Sequence, residues 1–107
     1  MKAKTLIAIP VYNSVDFIEK TIESAFNQSV PVNVLVCDNC STDGTLELLN
    51  ELKTNKYKDL IIIKNPLNYG RKQNWNICLE FFAKSNYELI KFLFAGDIIY
   101  TNCIETV

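Results

Sequence analysis

Apolar residues along this chain keep two rhythms that take turns. Lys4-Thr5-Leu6-Ile7-Ala8-Ile9-Pro10 is a short apolar run stopped by a proline, and Asn33-Val34-Leu35-Val36-Cys37 is a second, with β-branched residues. Runs this short and apolar throughout predict strands covered on both faces. Residues 59–64 and 88–94 predict two more. Between the runs the spacing changes to three and four. Val15, Ile18, Ile22 and Phe26 form one stripe while Asp16, Glu19, Lys20 and Glu23 face elsewhere, which predicts an amphipathic helix opened by the capping side chains of Asn13 and Ser14. Leu46, Leu48, Leu49 and Leu52 predict a second helix ending near residues 53–55, with Ser41, Thr42 or Asp43 able to accept from a free N–H of its first turn. Trp75, Cys78, Leu79 and Phe82 predict a third. Phe26, Trp75, Phe81 and Phe82 are assigned to the core.

The resulting order is β-α-β-α-β-α-β. Connections this long between strands force parallel pairing with helices on both faces, so the fold class is α/β with a parallel, Rossmann-like sheet of nucleotide-binding type. At 107 residues, about half of them apolar, the chain suffices for one domain with a real core and is too short for two. There is no internal repeat and no low-complexity segment. Residues 98–107 are apolar enough to need a partner, and residues 1–107 are expected to be a single, truncated domain of a longer protein.

Charge and composition narrow the function. Net charge is −1 with both signs interspersed, so there is no basic stripe of the kind that holds a phosphate backbone, which argues against a nucleic-acid partner. No apolar run approaches the ~20 residues that span a bilayer, and the start does not read as a signal peptide, so a cytoplasmic location is expected. Cys37, Cys40, Cys78 and Cys103 read as reduced thiols, since most of them belong to apolar segments rather than to a secreted disulfide framework. The chain has no histidine, which removes histidine-based catalysis and zinc hydrolase schemes.

Three polar clusters fall at the carboxyl ends of predicted strands: Pro10-Val11-Tyr12-Asn13 after the first, Asp38-Asn39 after the second and Asp97 after the fourth. In a parallel sheet these ends share one edge, where open α/β sheets bind nucleotides. Asp or Asn can hydrogen-bond a base edge or a ribose hydroxyl. A carboxylate at the end of the fourth strand could hold Mg²⁺ or Mn²⁺ against a diphosphate.

The ordered set Ile9-Pro10-Val11-Tyr12-Asn13, Cys37-Asp38-Asn39-Cys40-Ser41-Thr42-Asp43-Gly44-Thr45, Asn68-Tyr69-Gly70 with Asn74, and Phe92-Leu93-Phe94-Ala95-Gly96-Asp97 resembles the amino-terminal half of family 2 glycosyltransferases of the GT-A fold. The resemblance implies transfer of a sugar from a nucleotide-diphosphate donor, usually a UDP-sugar, to a glycan or lipid-linked acceptor, as in polysaccharide or cell-surface glycan synthesis. By motif position it implies that Pro10, Tyr12, Asp38 and Asn39 border the base and ribose, that Arg71 approaches the donor, and that Asp97 binds the divalent cation. Peripheral membrane association of the full-length protein and a homo-oligomer are both compatible with it. Two residues depart from the family pattern. Gly96 stands where many members carry the first carboxylate of an acidic pair, and Asn39 stands where aspartate is frequent, so an amide that donates and accepts replaces a group that only accepts. The family's catalytic base, a carboxylate expected well beyond Asp97, has no counterpart here, so the isolated chain is expected to bind donor and turn over nothing.

Two other readings stay open at this point. One is a non-catalytic nucleotide-binding module. The other is a dithiol oxidoreductase, because Cys37-Asp38-Asn39-Cys40 is a C-x-x-C at a helix start, where the macrodipole lowers a thiol pKa. Ser41, Thr42 and Asp43 read as caps and turn formers, and Asn68-Tyr69-Gly70 as a turn with Gly70 at positive φ.

Overall fold

The computed structural model describes residues 3–105. Its elements run β1 (Thr5–Val11), α1 (Ile18–Phe26), β2 (Val32–Asp38), α2 (Thr45–Asn55), β3 (Ile61–Lys64), α3 (Arg71–Ala83) and β4 (Leu89–Phe92). The four strands form one parallel sheet in the order β3-β2-β1-β4, with register from Thr5 opposite Val32 to Val11 opposite Asp38. The alternation of strand and helix in the sequence therefore yields the expected parallel α/β layering.

Strand pleat divides each apolar run between two cores. Ile7, Ile9 and Val11 of β1 with Val34 and Val36 of β2 meet Ile18, Ile22 and Ala25 of α1 and Leu49 and Leu52 of α2 on one face. Leu6, Ala8, Leu35 and Cys37 turn to the other face and meet Cys78 of α3. All seven residues of β1 are buried, because it lies between two strands and beneath helices on both sides. Trimming one of these isoleucines to alanine costs about 2–5 kcal/mol.

Three boundaries differ from the expectation. Strand β3 starts at Ile61 rather than 59, since a turn from Tyr57 to Leu60 occupies the approach. Strand β4 is Leu89–Phe92, followed by Leu93 N–H bonding to Ala8 O and then by a turn at residues 94–97 in which Gly96 has φ +97°. Helix α1 begins at Ile18, because the Ser14 carbonyl accepts from Phe17 and Ile18 N–H and closes a separate turn first.

The third helix is rotated from its predicted face. Asn74 and Cys78 are its buried residues, Phe81 and Phe82 are half-buried, and Trp75 and Leu79 are 36% and 43% exposed. The core assignment of Trp75 is thereby corrected. A polar residue, Asn74, takes the inward position, where its Nδ2 donates to Cys37 O at 3.0 Å.

The segment after β4 folds back on α1. Gly96 N–H donates to Thr21 Oγ1, Ser29 N–H to Thr101 O and Ile104 N–H to Gln28 Oε1, and Ile104 is buried in the first core. Within the described residues, part of the apolar tail thus finds its partner inside the domain, although Ile98 and Tyr100 stay exposed.

Candidate nucleotide site

At the carboxyl edge of the sheet the loop after β1 and the loop after β2 are sewn together by hydrogen bonds from backbone to side chain. Asn13 N–H donates to Ser41 Oγ (2.9 Å), Ser14 N–H to Thr45 Oγ1 (2.9 Å) and Val15 N–H to Asp43 Oδ2 (3.2 Å), while Thr42 N–H donates back to Asn13 Oδ1 (2.8 Å). Ser41, Thr42 and Asp43 were expected to act as caps and turn formers; Gly44 occupies the N-cap position of α2 with no side-chain capping bond of its own, Asp43 accepts from the first N–H of the helix, at Thr45, and Ser41 and Asp43 also serve the adjacent loop. Asp43 also accepts from Thr45 Oγ1. Desolvation pushes its carboxyl upward, but the Thr45 hydroxyl and the Val15 and Thr45 N–H groups outweigh this and hold it below the ordinary aspartate value.

Asp38 is 1% exposed and spends its carboxylate on one neighbour, accepting from Ser41 Oγ at 2.5 Å and from Ser41 N–H at 3.2 Å. Through Ser41 it holds the backbone of Asn13 and hence the loop that carries Tyr12.

Asn39 continues the same loop into a chain of amides. Its Oδ1 accepts from Tyr69 N–H (3.0 Å) and Asn65 Nδ2 (3.1 Å), and its Nδ2 donates to Asn68 Oδ1 (2.9 Å) and, at a longer 3.4 Å, to Gly70 O. Asn65 Nδ2 also donates to Asn74 Oδ1, and Gly70 N–H donates to Asn68 Oδ1. Gly70 sits at φ +86°, as the turn reading required. Asn39, Asn65 and Asn74 are all at least 97% buried, so losing any one leaves buried polar groups without partners, at about 1–3 kcal/mol each.

These segments enclose a cleft of about 670 Å³ whose walls include Pro10, Tyr12, Asn39, Asn68, Arg71 and Trp75. Tyr12, Trp75 and Phe94 present half-open rings there, with Trp75 and Phe94 5.5 Å apart between centroids. Among the described residues, Arg71 is the charged one in this wall, and no carboxylate lines it. A second cleft of similar volume lies at the opposite edge of the sheet, between the start of β1 and Ile104, away from the strand ends that carry the motifs.

Of the residues singled out in the sequence, the fold gathers Pro10, Tyr12, Asn39 and Arg71 around one cleft. Asp38 lies behind that wall. Asp97 lies on the same edge but in the exposed turn after β4, its Oδ2 accepting from Phe94 N–H at 3.4 Å. No group of three Cys, Asp or Glu side chains able to hold a metal occurs among the described residues. Trp75, Asn65 and Phe94 had no assigned part in the site. Asn68 and Asn74 stood in a quoted motif, but single-residue spacing gives no sign that they bond to Asn39 and Asn65.

The thiols answer the oxidoreductase reading. Cys37 is fully buried with its Sγ 3.1 Å from Cys78 Sγ, and the bond to Cys78 together with burial pushes the Cys37 thiol far above its ordinary range. Cys40 faces Pro66 O instead. The two thiols of the C-x-x-C thus bond to different partners, and a buried Cys37 thiol pushed upward is the opposite of the activated thiolate that redox chemistry needs.

A family model described as glycosyl transferase family 2 matches residues 6–104. The chain belongs to glycosyl transferase family 2. Among curated relatives it is 35% identical over 100 residues to the Escherichia coli UDP-Glc:alpha-D-GlcNAc-diphosphoundecaprenol beta-1,3-glucosyltransferase WfaP, covering 92% of this chain and 38% of that protein. It is 41% identical over 100 residues to a chondroitin synthase of Pasteurella multocida, covering 92% and 10%. Its structure superposes on S. aureus TarS residues 1–349 in complex with UDP-GlcNAc with a TM-score of 0.81 and 27% identity, over 96% of this chain and 29% of that one. The GT-A reading of the fold thus stands, and the chain spans well under half the length of these family 2 relatives.

Proposed function

We propose that this chain is the donor-binding part of a glycosyltransferase that moves a sugar from a nucleotide diphosphate to a glycan or lipid-linked acceptor in cell-surface polysaccharide synthesis. The observation that carries the reading is the convergence of Pro10, Tyr12, Asn39 and Arg71, from three separate segments, on one cleft at the carboxyl edge of a parallel sheet. Support comes also from the relatives, since WfaP is named for a UDP-glucose donor and TarS is known with UDP-GlcNAc bound.

In this reading the rings of Tyr12 and Trp75 flank the base, and the Asn39 and Asn68 amides meet its polar edge. The Arg71 guanidinium takes phosphate oxygens through its fork of donors. Rigid loops orient the donor, and a fixed positive group stabilises charge on the departing diphosphate. Asp97 suits a divalent cation in one respect: Mg²⁺ is commonly held by one or two carboxylates together with substrate phosphates, and the Asp97 carboxylate is exposed with only a weak bond to Phe94 N–H. When bound, Mg²⁺ or Mn²⁺ would neutralise diphosphate charge. No carboxylate lines the cleft, so none of its wall residues can serve as a carboxylate base for the acceptor hydroxyl. A cytoplasmic location, peripheral membrane association of the whole protein and self-association remain parts of the proposal.

Calorimetric titration with nucleoside diphosphates in the presence of Mn²⁺ tests it. Binding by the wild-type chain, weakened about five- to tenfold in Arg71→Ala, is expected from loss of a charge-assisted contact. Equal binding by both proteins would remove Arg71 from the site, and no binding of any nucleotide would remove the function.

A further inference from the structure

Helix α1 carries a row of polar side chains beside its apolar stripe. Thr21, Ser24 and Gln28 follow one another at intervals of three and four, the first two within the helix and the third just past its end, which brings them to one side. Thr21 is fully buried and Ser24 nearly so. Each hydroxyl spends its hydrogen on the helix itself, Thr21 Oγ1 donating to Phe17 O at 3.3 Å and Ser24 Oγ to Thr21 O at 2.9 Å. The lone pairs of each oxygen are thereby left as acceptors of fixed direction. What they accept is the backbone of the segment after β4: Gly96 N–H donates to Thr21 Oγ1 at 2.9 Å and Ile99 N–H to Ser24 Oγ at 3.3 Å. Gln28 extends the row, its Nε2 donating to Tyr100 O at 2.9 Å and its Oε1 accepting from Ile104 N–H at 3.1 Å. Asp97 lies between the first two of these anchors. Its own N–H closes the turn on Phe94 O at 2.9 Å, so the backbone is held on either side of it, while its carboxylate is exposed and receives a 3.4 Å bond from Phe94 N–H. Ala95 and Ile99 also pack against the first core, but apolar packing is non-directional, so the orientation of the turn falls to the hydrogen bonds.

Resting on the reading of Asp97 as the cation-binding residue, we propose that Thr21, seconded by Ser24, is a positioning residue for Asp97: through the Gly96 and Ile99 amides, α1 sets where the Asp97 carboxylate meets a divalent cation on the donor diphosphate. Neither hydroxyl lines the cleft, so both act through the turn alone. A carboxylate whose backbone is already ordered loses less freedom when it takes up a ligand than one on a loose loop, and the difference appears as affinity. Valine in place of Thr21 keeps the shape and removes the acceptor; serine keeps the acceptor.

The test is calorimetric titration with UDP, once in Mn²⁺ and once in a chelator, of wild type, Asp97→Ala, Thr21→Val, Thr21→Ser and Ser24→Ala. Wild type is expected to bind more tightly in Mn²⁺, and Asp97→Ala to lose that gain. Thr21→Val is expected to bind about three- to tenfold more weakly than wild type in Mn²⁺ while matching it in chelator, Thr21→Ser to keep the gain, and Ser24→Ala to lose a smaller part of it, as suits its longer bond. A full gain in Thr21→Val would overturn the inference and leave Asp97 as the cation residue. So would an equal loss in Mn²⁺ and in chelator, the mark of general damage to the fold, or a loss in Thr21→Ser as large as in the valine variant. No gain in wild type, or a gain that survives Asp97→Ala, would overturn the cation reading of Asp97 and the inference with it, and UDP binding in neither solution would overturn the nucleotide reading as well. Should Thr21→Val fail to fold, Ser24→Ala decides: a reduced gain supports the inference and a full one overturns it.

Discussion

The carboxyl ends of β2 and β4 look alike in the sequence, each an acidic group where an apolar strand gives out, yet they are built very differently. Strand β2 runs between β1 and β3 and is covered on both faces, so Asp38 is driven inside and paired with Ser41. Strand β4 pairs on one side only among the described residues, and its end opens into an exposed turn where Asp97 has one weak bond from Phe94 N–H. A carboxylate next to a central strand organises backbone; one beyond an edge strand is left for solvent or a ligand. The residue that reaches the cleft from β2 is Asn39, one position further on.

The largest way to break this contrast is Asn39→Ala. It strips partners from Tyr69 N–H, Asn65 and Asn68 at once, and is expected to cost about 3–5 kcal/mol in chemical denaturation, as several buried groups go unpaired. Next comes the carboxylate pair itself. Asp38→Ala is expected to destabilise by about 2–4 kcal/mol, because hydrogen bonds to a charged group are lost in a buried place, whereas Asp97→Ala should stay within about 0.5 kcal/mol of wild type. Equal costs for the two would erase the distinction between the strand ends.

The smallest effect is on pH. The folded-state pKa of Asp43 is lowered, so its contribution is present above the ordinary aspartate value and is lost as pH falls through the folded one. Stability measured from pH 5 downward should therefore decline in wild type more steeply than in Asp43→Asn, the variant having already lost the charge that holds Val15 and Thr45.

Much of the fold was legible because it rests on rhythm. Unbroken apolar runs gave the parallel strands, buried in β1 and most of β2 and half-buried in β3 and β4, and the three-and-four spacing located all three helices. What escaped was whatever depends on polar residues facing inward. Asn74 displaced Trp75 from the core by claiming the inward side of α3 through a bond to Cys37 O, and hydropathy carries no trace of that bond. In the same way Ser41 and Asp43 look like local caps and turn formers, and they do make local bonds, to Asp38 and from Thr45, but each also accepts from a backbone N–H 28 residues upstream in the loop after β1, which local pattern does not show. The placement of the motifs on one edge followed from topology; which of their side chains face the cleft depended on packing between loops.

Trp75 is the single tryptophan and stands in the cleft wall, so its fluorescence reports on that wall alone. Titrating the chain with nucleoside diphosphate and Mn²⁺ is expected to give a saturable change in Trp75 emission whose midpoint matches the calorimetric one and moves to higher concentration in Arg71→Ala. Calorimetric binding with no change in Trp75 emission would mean that the nucleotide sits elsewhere, and would contradict the assignment of the carboxyl-edge cleft as the donor site.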